Sequence, residues 1–222
     1  AQYGAQAPDG GAWPLNREDV TRYGVNRIYP TIQGEGAQAG WAMTIVRLQG
    51  CPVGCVWCDT PESWAPGGET CTAREIAARV AALPPRWALV TGGEPTWYDL
   101  GALTVELREC GVERALETSG VYPITGLWTW VCVSPKPAGR LPLNDFNLRV
   151  ADEVKWVVGR ERDVEAFGAF LADHGRHLRK EVVRSVQPVS VSPRATRLCL
   201  EALMRHPTWR LSLQTHKLLG IA

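Results

Sequence analysis

The sequence predicts an α/β fold, an incomplete TIM-type barrel of parallel strands and helices, on three observations. Short apolar runs alternate with amphipathic segments. Polar signatures repeatedly follow the apolar runs, as they do at the carboxyl ends of parallel strands. A closed eight-unit barrel takes about 250 residues, and this chain has 222. An open doubly wound sheet is the alternative.

The elements follow in order. Residues 26–29 and 41–48 read as extended. Thr72 opens a helix with a capping box, because Glu75 stands three positions on. Ile76, Val80 and Leu83 fall on one face of it, and Pro84-Pro85 ends it. Residues 87–91 form a short buried strand, and 100–110 form a helix capped by Gly111. Strands are expected at 114–118, 130–134 and 153–158. The helix over 161–174 places Val164, Phe167 and Leu171 on one side. A strand at 181–187 precedes a helix that Ser192 caps and Pro193 starts, running to about residue 206. The last strand covers 209–213.

Length and composition suit one domain with a sizeable core, over residues 26–222, preceded by an N-terminal extension of residues 1–25. The net charge of +1 argues against a nucleic-acid surface. No stretch approaches the ~20 apolar residues that span a bilayer. The N-terminal segment lacks the basic start and apolar core of a signal peptide, so a cytoplasmic protein is expected.

Five polar signatures end strands and should meet on one rim. They are Thr91-Gly92-Gly93-Glu94-Pro95, Glu117-Thr118-Ser119-Gly120, Ser134-Pro135-Lys136, Gln187-Pro188 and Gln214-Thr215-His216-Lys217. Such a rim suits one large polar ligand or two ligands. Lys155 points toward it from the strand at 153–158.

Seven cysteines make a disulfide framework improbable in a chain of this length. Cys110, Cys132 and Cys199 stand singly in apolar surroundings and read as buried thiols. Cys51, Cys55 and Cys58 form a tight trio just past a strand, with Gly50, Pro52 and Gly54 allowing a wrap around a bulky centre. Thiolates select zinc or iron–sulfur centres. A cubane cluster usually takes four thiolates, so three would leave one iron open to a ligand. Structural zinc with Cys71 as fourth ligand is the competing assignment.

The C-x3-C-x2-C spacing, with Trp57 before the last cysteine, resembles the radical S-adenosylmethionine superfamily, and Gly92-Gly93-Glu94 resembles its glycine-rich segment. Further segments resemble the 7-carboxy-7-deazaguanine synthase family. They are Tyr29-Pro30-Thr31-Ile32-Gln33-Gly34-Glu35-Gly36, Val46-Arg47, Cys58-Asp59-Thr60-Pro61, Ser134-Pro135-Lys136-Pro137 and Leu213-Gln214-Thr215-His216-Lys217. The likeness runs from about Asn26 to the C-terminus. Ser119 stands where an amide is usual, and Ala222 is not the usual last residue.

The resemblance implies a lyase that converts 6-carboxy-5,6,7,8-tetrahydropterin to 7-carboxy-7-deazaguanine with loss of ammonia, for queuosine and other 7-deazapurines. It implies a 4Fe–4S cluster on Cys51, Cys55 and Cys58, S-adenosylmethionine, and Mg2+ at Thr60. It implies cofactor contacts from Trp57, Cys58, Asp59, Gly93, Glu94, Ser134, Pro135, Lys136, Gln187, Pro188, Val189 and Ser190. Glu94 would receive the methionine ammonium, and Gly93 would let the cofactor backbone approach. Pterin contacts are implied for Ile32, Gln33, Gly34, Glu35, Arg47, Thr91 and His216, with the carboxylate of Ala222. Arg47 is the natural carboxylate partner. No protein acid or base is singled out, because the cofactors carry the chemistry. A homodimer and a flavodoxin- or ferredoxin-type electron donor are the implied partners. A glycyl-radical activase is the rival enzyme, and a zinc-binding module the rival without enzymatic activity.

Overall fold

The short loop over residues 33–41 decides how the chain enters its sheet. Nine residues are too few for a crossover, so strand β1 (Arg22–Ile32) must turn back on β2 (Ala42–Leu48) as an antiparallel pair. The computed structural model describes residues 22–137 and 139–221. Because β1 takes in residues 22–25, the domain begins earlier than the expected boundary at 26. The rest of the expected N-terminal extension and Ala222 lie outside the described residues.

A third strand, β3 (Glu69–Thr72), pairs antiparallel with the start of β1. It went unforeseen because four residues are too short to show a period. Helix α1 (Ala73–Ala81) follows directly. Its capping box is formed: the Glu75 backbone N–H donates to Thr72 Oγ1 at 3.2 Å, and the Thr72 N–H donates to Glu75 Oε2 at 2.7 Å.

Next come β4 (Trp87–Gly92), α2 (Gly101–Glu109), β5 (Glu113–Thr118) and β6 (Trp130–Val133). The chain ends through β7 (Glu153–Val158), α3 (Glu161–His174), β8 (Val183–Pro188), α4 (Pro193–Arg205), β9 (Arg210–Leu211) and α5 (Thr215–Leu219).

The strand order is β3-β1-β2-β4-β5-β6-β7-β8-β9. All pairs from β2 onward are parallel. The sheet stays open between β3 and β9. Among the described residues no α-helix lies between β5 and β6 or between β6 and β7, where a 3-10 turn (Asp145–Arg149) stands instead. The barrel is therefore partial, as its length required. No helix among the described residues is long and apolar enough to cross a membrane.

Period-two alternation sorts the side chains into two layers. Outward positions such as Val46, Val90, Leu116, Val154 and Val186 build the main core beneath the helices. Inward, Met43, Ile45, Leu89 and Ala115 pack with Tyr29, Trp87 and Trp130 as a smaller apolar plug. Further along the same inward rows the residues turn polar: Arg47, Thr91, Glu117, Lys155 and Gln187. A polar layer above an apolar plug marks where a ligand enters.

One cysteine departs from expectation. Cys132 and Cys199 are buried, but Cys110 is exposed. It caps α2, and the chain turns there. The Gly111 N–H reaches Arg108 O at 2.9 Å and the Val112 N–H reaches Leu107 O at 3.0 Å, so Val112 fills the core position instead.

Candidate functional site

The strand ends surround one cavity of about 480 Å³, within the usual range for small-molecule sites. One wall is the cysteine loop. Cys51, Cys55 and Cys58 all line the cavity, and all are free and half-buried. Burial pushes the Cys51 thiol up to about 11 and raises that of Cys55. Bound iron would reverse this, since a metal deprotonates its thiol ligands.

Among the described residues, no three His, Cys, Asp or Glu side chains gather tightly enough to hold a single metal ion. Three thiols spread around a cavity wall suit a cubane, whose irons occupy separate corners. A zinc site would need a fourth ligand. Cys71 is excluded, because it is buried in the main core beside Tyr23, outside the cavity.

The Gly92-Gly93-Glu94 segment is stitched to this loop. The Gly93 N–H donates to Leu48 O at 3.0 Å and the Glu94 N–H to Gly50 O at 2.8 Å. A Cβ on Gly93 would lie 2.2 Å from the Gly50 carbonyl oxygen. The missing side chain admits the cluster loop, and Gly93 also lines the cavity.

Glu94 lines the cavity as well. It is 2% exposed. Its Oε1 accepts from the Thr96 N–H (3.1 Å), Thr96 Oγ1 (2.7 Å) and Thr118 Oγ1 (2.5 Å). Its Oε2 accepts from the Ser119 N–H (2.8 Å) and from Ser119 Oγ. Five donors exhaust the roughly four lone-pair sites of a carboxylate. Glu94 ties the ends of β4 and β5 together and keeps little capacity for an ammonium.

The opposite wall is an ionic network. Lys155 Nζ donates to Glu35 Oε2 at 2.5 Å and to Glu117 Oε1 at 3.1 Å. Gln187 Nε2 and Gln214 Nε2 reach the two oxygens of Glu35 at 3.1 and 2.8 Å. Burial alone would raise the Glu35 carboxyl, but the Lys155 charge and these hydrogen bonds overcome it and hold the group at about 2. Burial likewise opposes the Lys155 ammonium, yet Glu117 and Glu35 hold its pKa well above the usual lysine value. Gln33 Nε2 completes the layer by donating to Glu117 at 3.0 Å.

Arg47 lines the cavity too, and its guanidinium makes no hydrogen bond or ion pair among the described residues. Thr91 lies beside it in register.

The C-terminal segment closes the rim. Lys217 Nζ meets Asp59 Oδ1 at 2.8 Å, and Gln214 Nε2 donates to Asp59 Oδ2 at 2.7 Å. His216 packs against Gly34, where a Cβ would come within 2.2 Å of its Nδ1. Thr60 lines the cavity and its hydroxyl does not cap the turn that follows; its N–H donates to Cys58 Sγ at 3.4 Å.

Of the remaining expected residues, Ile32, Trp57, Ser134 and Lys136 line the cavity. Lys136 donates to Ser134 Oγ at 2.5 Å. Pro135, Pro188, Val189 and Ser190 do not line it. Alternation explains two of these: Ser134 and Gln187 face inward, so Pro135 and Pro188 are buried on the other side. Val189 continues the chain past Pro188, with its N–H on Val158 O, and lies against Gly159. Ser190 is exposed and faces Lys217, 3.5 Å from its Nζ. The expected carboxylate of Ala222 lies outside the described residues.

Asn26, Arg27, Glu62 and Trp64 also line the cavity and were not anticipated. Asn26 and Arg27 lie on β1, whose antiparallel course no motif announced.

The chain is similar to curated proteins over most of its length. It is 37% identical to the 7-carboxy-7-deazaguanine synthase of Escherichia coli K12, over 90% of this chain and 100% of that protein. It is 36% identical to that of Flavobacterium psychrophilum, over 86% and 89%. It is 32% identical to that of Synechocystis, over 94% and 98%. The crystal structure of QueE from Escherichia coli superposes with a TM-score of 0.79 at 35% identity, over 86% of this chain and 93% of that one. No protein-family model matches the chain.

Proposed function

The chain belongs to the 7-carboxy-7-deazaguanine synthase family, and from that premise we propose how its residues divide the work of this radical S-adenosylmethionine lyase. The substrate is 6-carboxy-5,6,7,8-tetrahydropterin, and the product, 7-carboxy-7-deazaguanine, forms with loss of ammonia. The observation that carries the reading is that one cavity holds three free thiols on one wall and, in the same enclosure, an arginine with no partner among the described residues.

Cys51, Cys55 and Cys58 would hold a 4Fe–4S cluster through three irons. When bound, the cluster and S-adenosylmethionine supply the electron and the adenosyl radical that begin the rearrangement. Trp57 offers the adenine a flat wall, and Ser134 and Lys136 offer polar contacts deeper in the cavity. Glu94 lines the same cavity and ties the strand ends that shape its wall.

Arg47 receives the pterin carboxylate, since its forked donors have no partner among the described residues. Gln33, Glu35 and Thr91 face the ring. Lys155 bridges Glu35 and Glu117, one cation between two carboxylates, so the pterin meets an ordered polar surface. His216 and Lys217 draw the C-terminal helix over the rim and exclude water.

Thr60 supplies one hydroxyl to Mg2+, which keeps most of its positions for substrate oxygens and water. Its freedom from capping supports this. Thr60→Ala should weaken the Mg2+ response of turnover while cluster absorption stays unchanged; an unaltered Mg2+ response refutes the assignment.

The resemblance also supports a homodimer and a one-electron donor of the flavodoxin or ferredoxin type. Val56, between two cluster cysteines, is 88% exposed, so the loop reaches the surface where a donor docks.

The deciding experiment uses anaerobically reconstituted, reduced protein with S-adenosylmethionine, Mg2+ and the carboxy-pterin. The expected result is 7-carboxy-7-deazaguanine by mass spectrometry. Cleavage of S-adenosylmethionine with no deazapurine refutes the substrate.

A further inference from the structure

We propose that Glu153 is a positioning residue for the pterin: its buried carboxylate holds the turn that carries Gly34-Glu35-Gly36 in the shape that receives substrate. This rests on the substrate assignment above.

Glu153 lies on β7, is 1% exposed and points inward beneath the polar layer. Its Oε1 accepts from Ser185 Oγ at 2.5 Å. Its Oε2 accepts from the Ala37 backbone N–H at 2.9 Å. Burying a carboxylate is costly unless it is satisfied, and an apolar side chain would fill this space at no such cost. The use of this one lies in the donors it engages.

The turn is shaped around it. Gly36 has φ +68, and a Cβ there would lie 2.7 Å from Glu153 Oε2. A left-handed glycine is what lets the turn settle onto the carboxylate. The Gly36 N–H donates to Ser212 Oγ at 2.8 Å, and Ser212 donates onward to Gln187 at 2.7 Å. The backbone of the turn is thus fixed from β7 and from residue 212.

The same strand acts twice. Two residues beyond Glu153 on the same face, Lys155 binds the Glu35 carboxylate. Glu153 sets the backbone, and Lys155 sets the side chain. Without Glu153 the turn samples other shapes, and substrate must select the competent fraction. Apparent affinity falls by that fraction, while the bound complex reacts as before.

The test uses the reconstituted full chain. Glu153→Ala should raise KM for the carboxy-pterin roughly tenfold or more, with kcat within about threefold. Cluster content and substrate-free cleavage of S-adenosylmethionine should match the parent. Amide exchange over residues 35–38 should accelerate at least about tenfold while the rest of the sheet is unchanged. Glu153→Gln should restore both readouts, because its oxygen still accepts from Ala37 and its amide donates to Ser185 Oγ. Gly36→Ala should reproduce the Glu153→Ala pattern from a surface turn, and it carries the test if Glu153→Ala does not fold.

An unchanged KM with unchanged exchange in Glu153→Ala overturns the proposal. So does a loss of cluster and kcat with exchange rising throughout the sheet, which would make the residue only a fold support. If the parent makes no deazapurine, the substrate assignment fails, whereas the exchange result still decides the tie between Glu153 and Ala37.

Discussion

Replacing Glu94 by glutamine separates two roles for the glycine-rich segment. In the structure both carboxylate oxygens are occupied: one by Thr96 and Thr118, the other by Ser119. Glutamine keeps one acceptor oxygen and presents an NH2 group to the other set of donors. If that group faces Ser119, the hydroxyl can turn and accept, but the backbone N–H of Ser119 has nothing to donate to. If the amide flips, the backbone N–H of Thr96 is left in the same state. Either way one buried backbone donor is orphaned, which costs about 1–3 kcal/mol. The expected loss is of that size in the folding stability of the cluster-free protein, read by urea unfolding with circular dichroism. Against a total of about 5–15 kcal/mol the variant still folds. The refuting result is parental stability together with a lowered affinity for S-adenosylmethionine in the reconstituted protein. That would mean the carboxylate serves the cofactor ammonium directly and that the five donors contribute little.

Other perturbations read other parts of the site. Arg47→Lys removes a forked donor without removing charge, and should raise KM for the pterin at least about tenfold, the worth of one bidentate contact; steady-state kinetics at saturating S-adenosylmethionine check this. Cys71→Ala should leave iron and sulfide content at the parental ratio, because Cys71 belongs to the core beside Tyr23. The Glu35 carboxyl sits at about 2 in the fold against an ordinary 4.5. A depressed carboxyl stabilises the fold fully above 4.5 and loses that contribution as pH falls toward 2. The stability gap between the parent and Glu35→Gln should therefore be constant above about pH 5 and shrink between pH 4.5 and 2, measured as urea midpoints; a gap that persists to pH 2 refutes the coupling to Lys155.

The parts of this architecture that the sequence revealed are local. Strand β7, helix α3 and the capping box at Thr72 each follow from a few neighbouring residues, and so does the cysteine loop. Motif positions were legible because a signature just after an apolar run sits at a strand's carboxyl end. What escaped depends on distant pairing. The direction of β1 is set by β2 and β3. Cys110 is exposed because Val112, beyond the turn, takes the core position. The donors on Glu94 include Thr118 and Ser119, which lie on the next strand's exit. Lys155 and Glu35 are 120 positions apart.

That division explains why two well-marked residues make contacts within the fold that their motifs do not suggest. A glycine or glutamate in a loop near a cofactor reads as a ligand contact, since the sequence shows the loop but not what packs behind it. Here Gly93 is bare because Gly50 approaches, and the Glu94 side chain collects five converging donors. The cluster loop can enclose a reactive centre only if it is held still, and a backbone rich in glycine does not hold itself still. The rigidity comes from β4 and β5, through hydrogen bonds that cross from one strand end to the next. Glu153 does the same for the opposite wall, fixing a glycine-flanked turn from the strand beneath. On each wall a glycine-containing loop completes a lining that strands begin, and a buried carboxylate ties that loop to the strands.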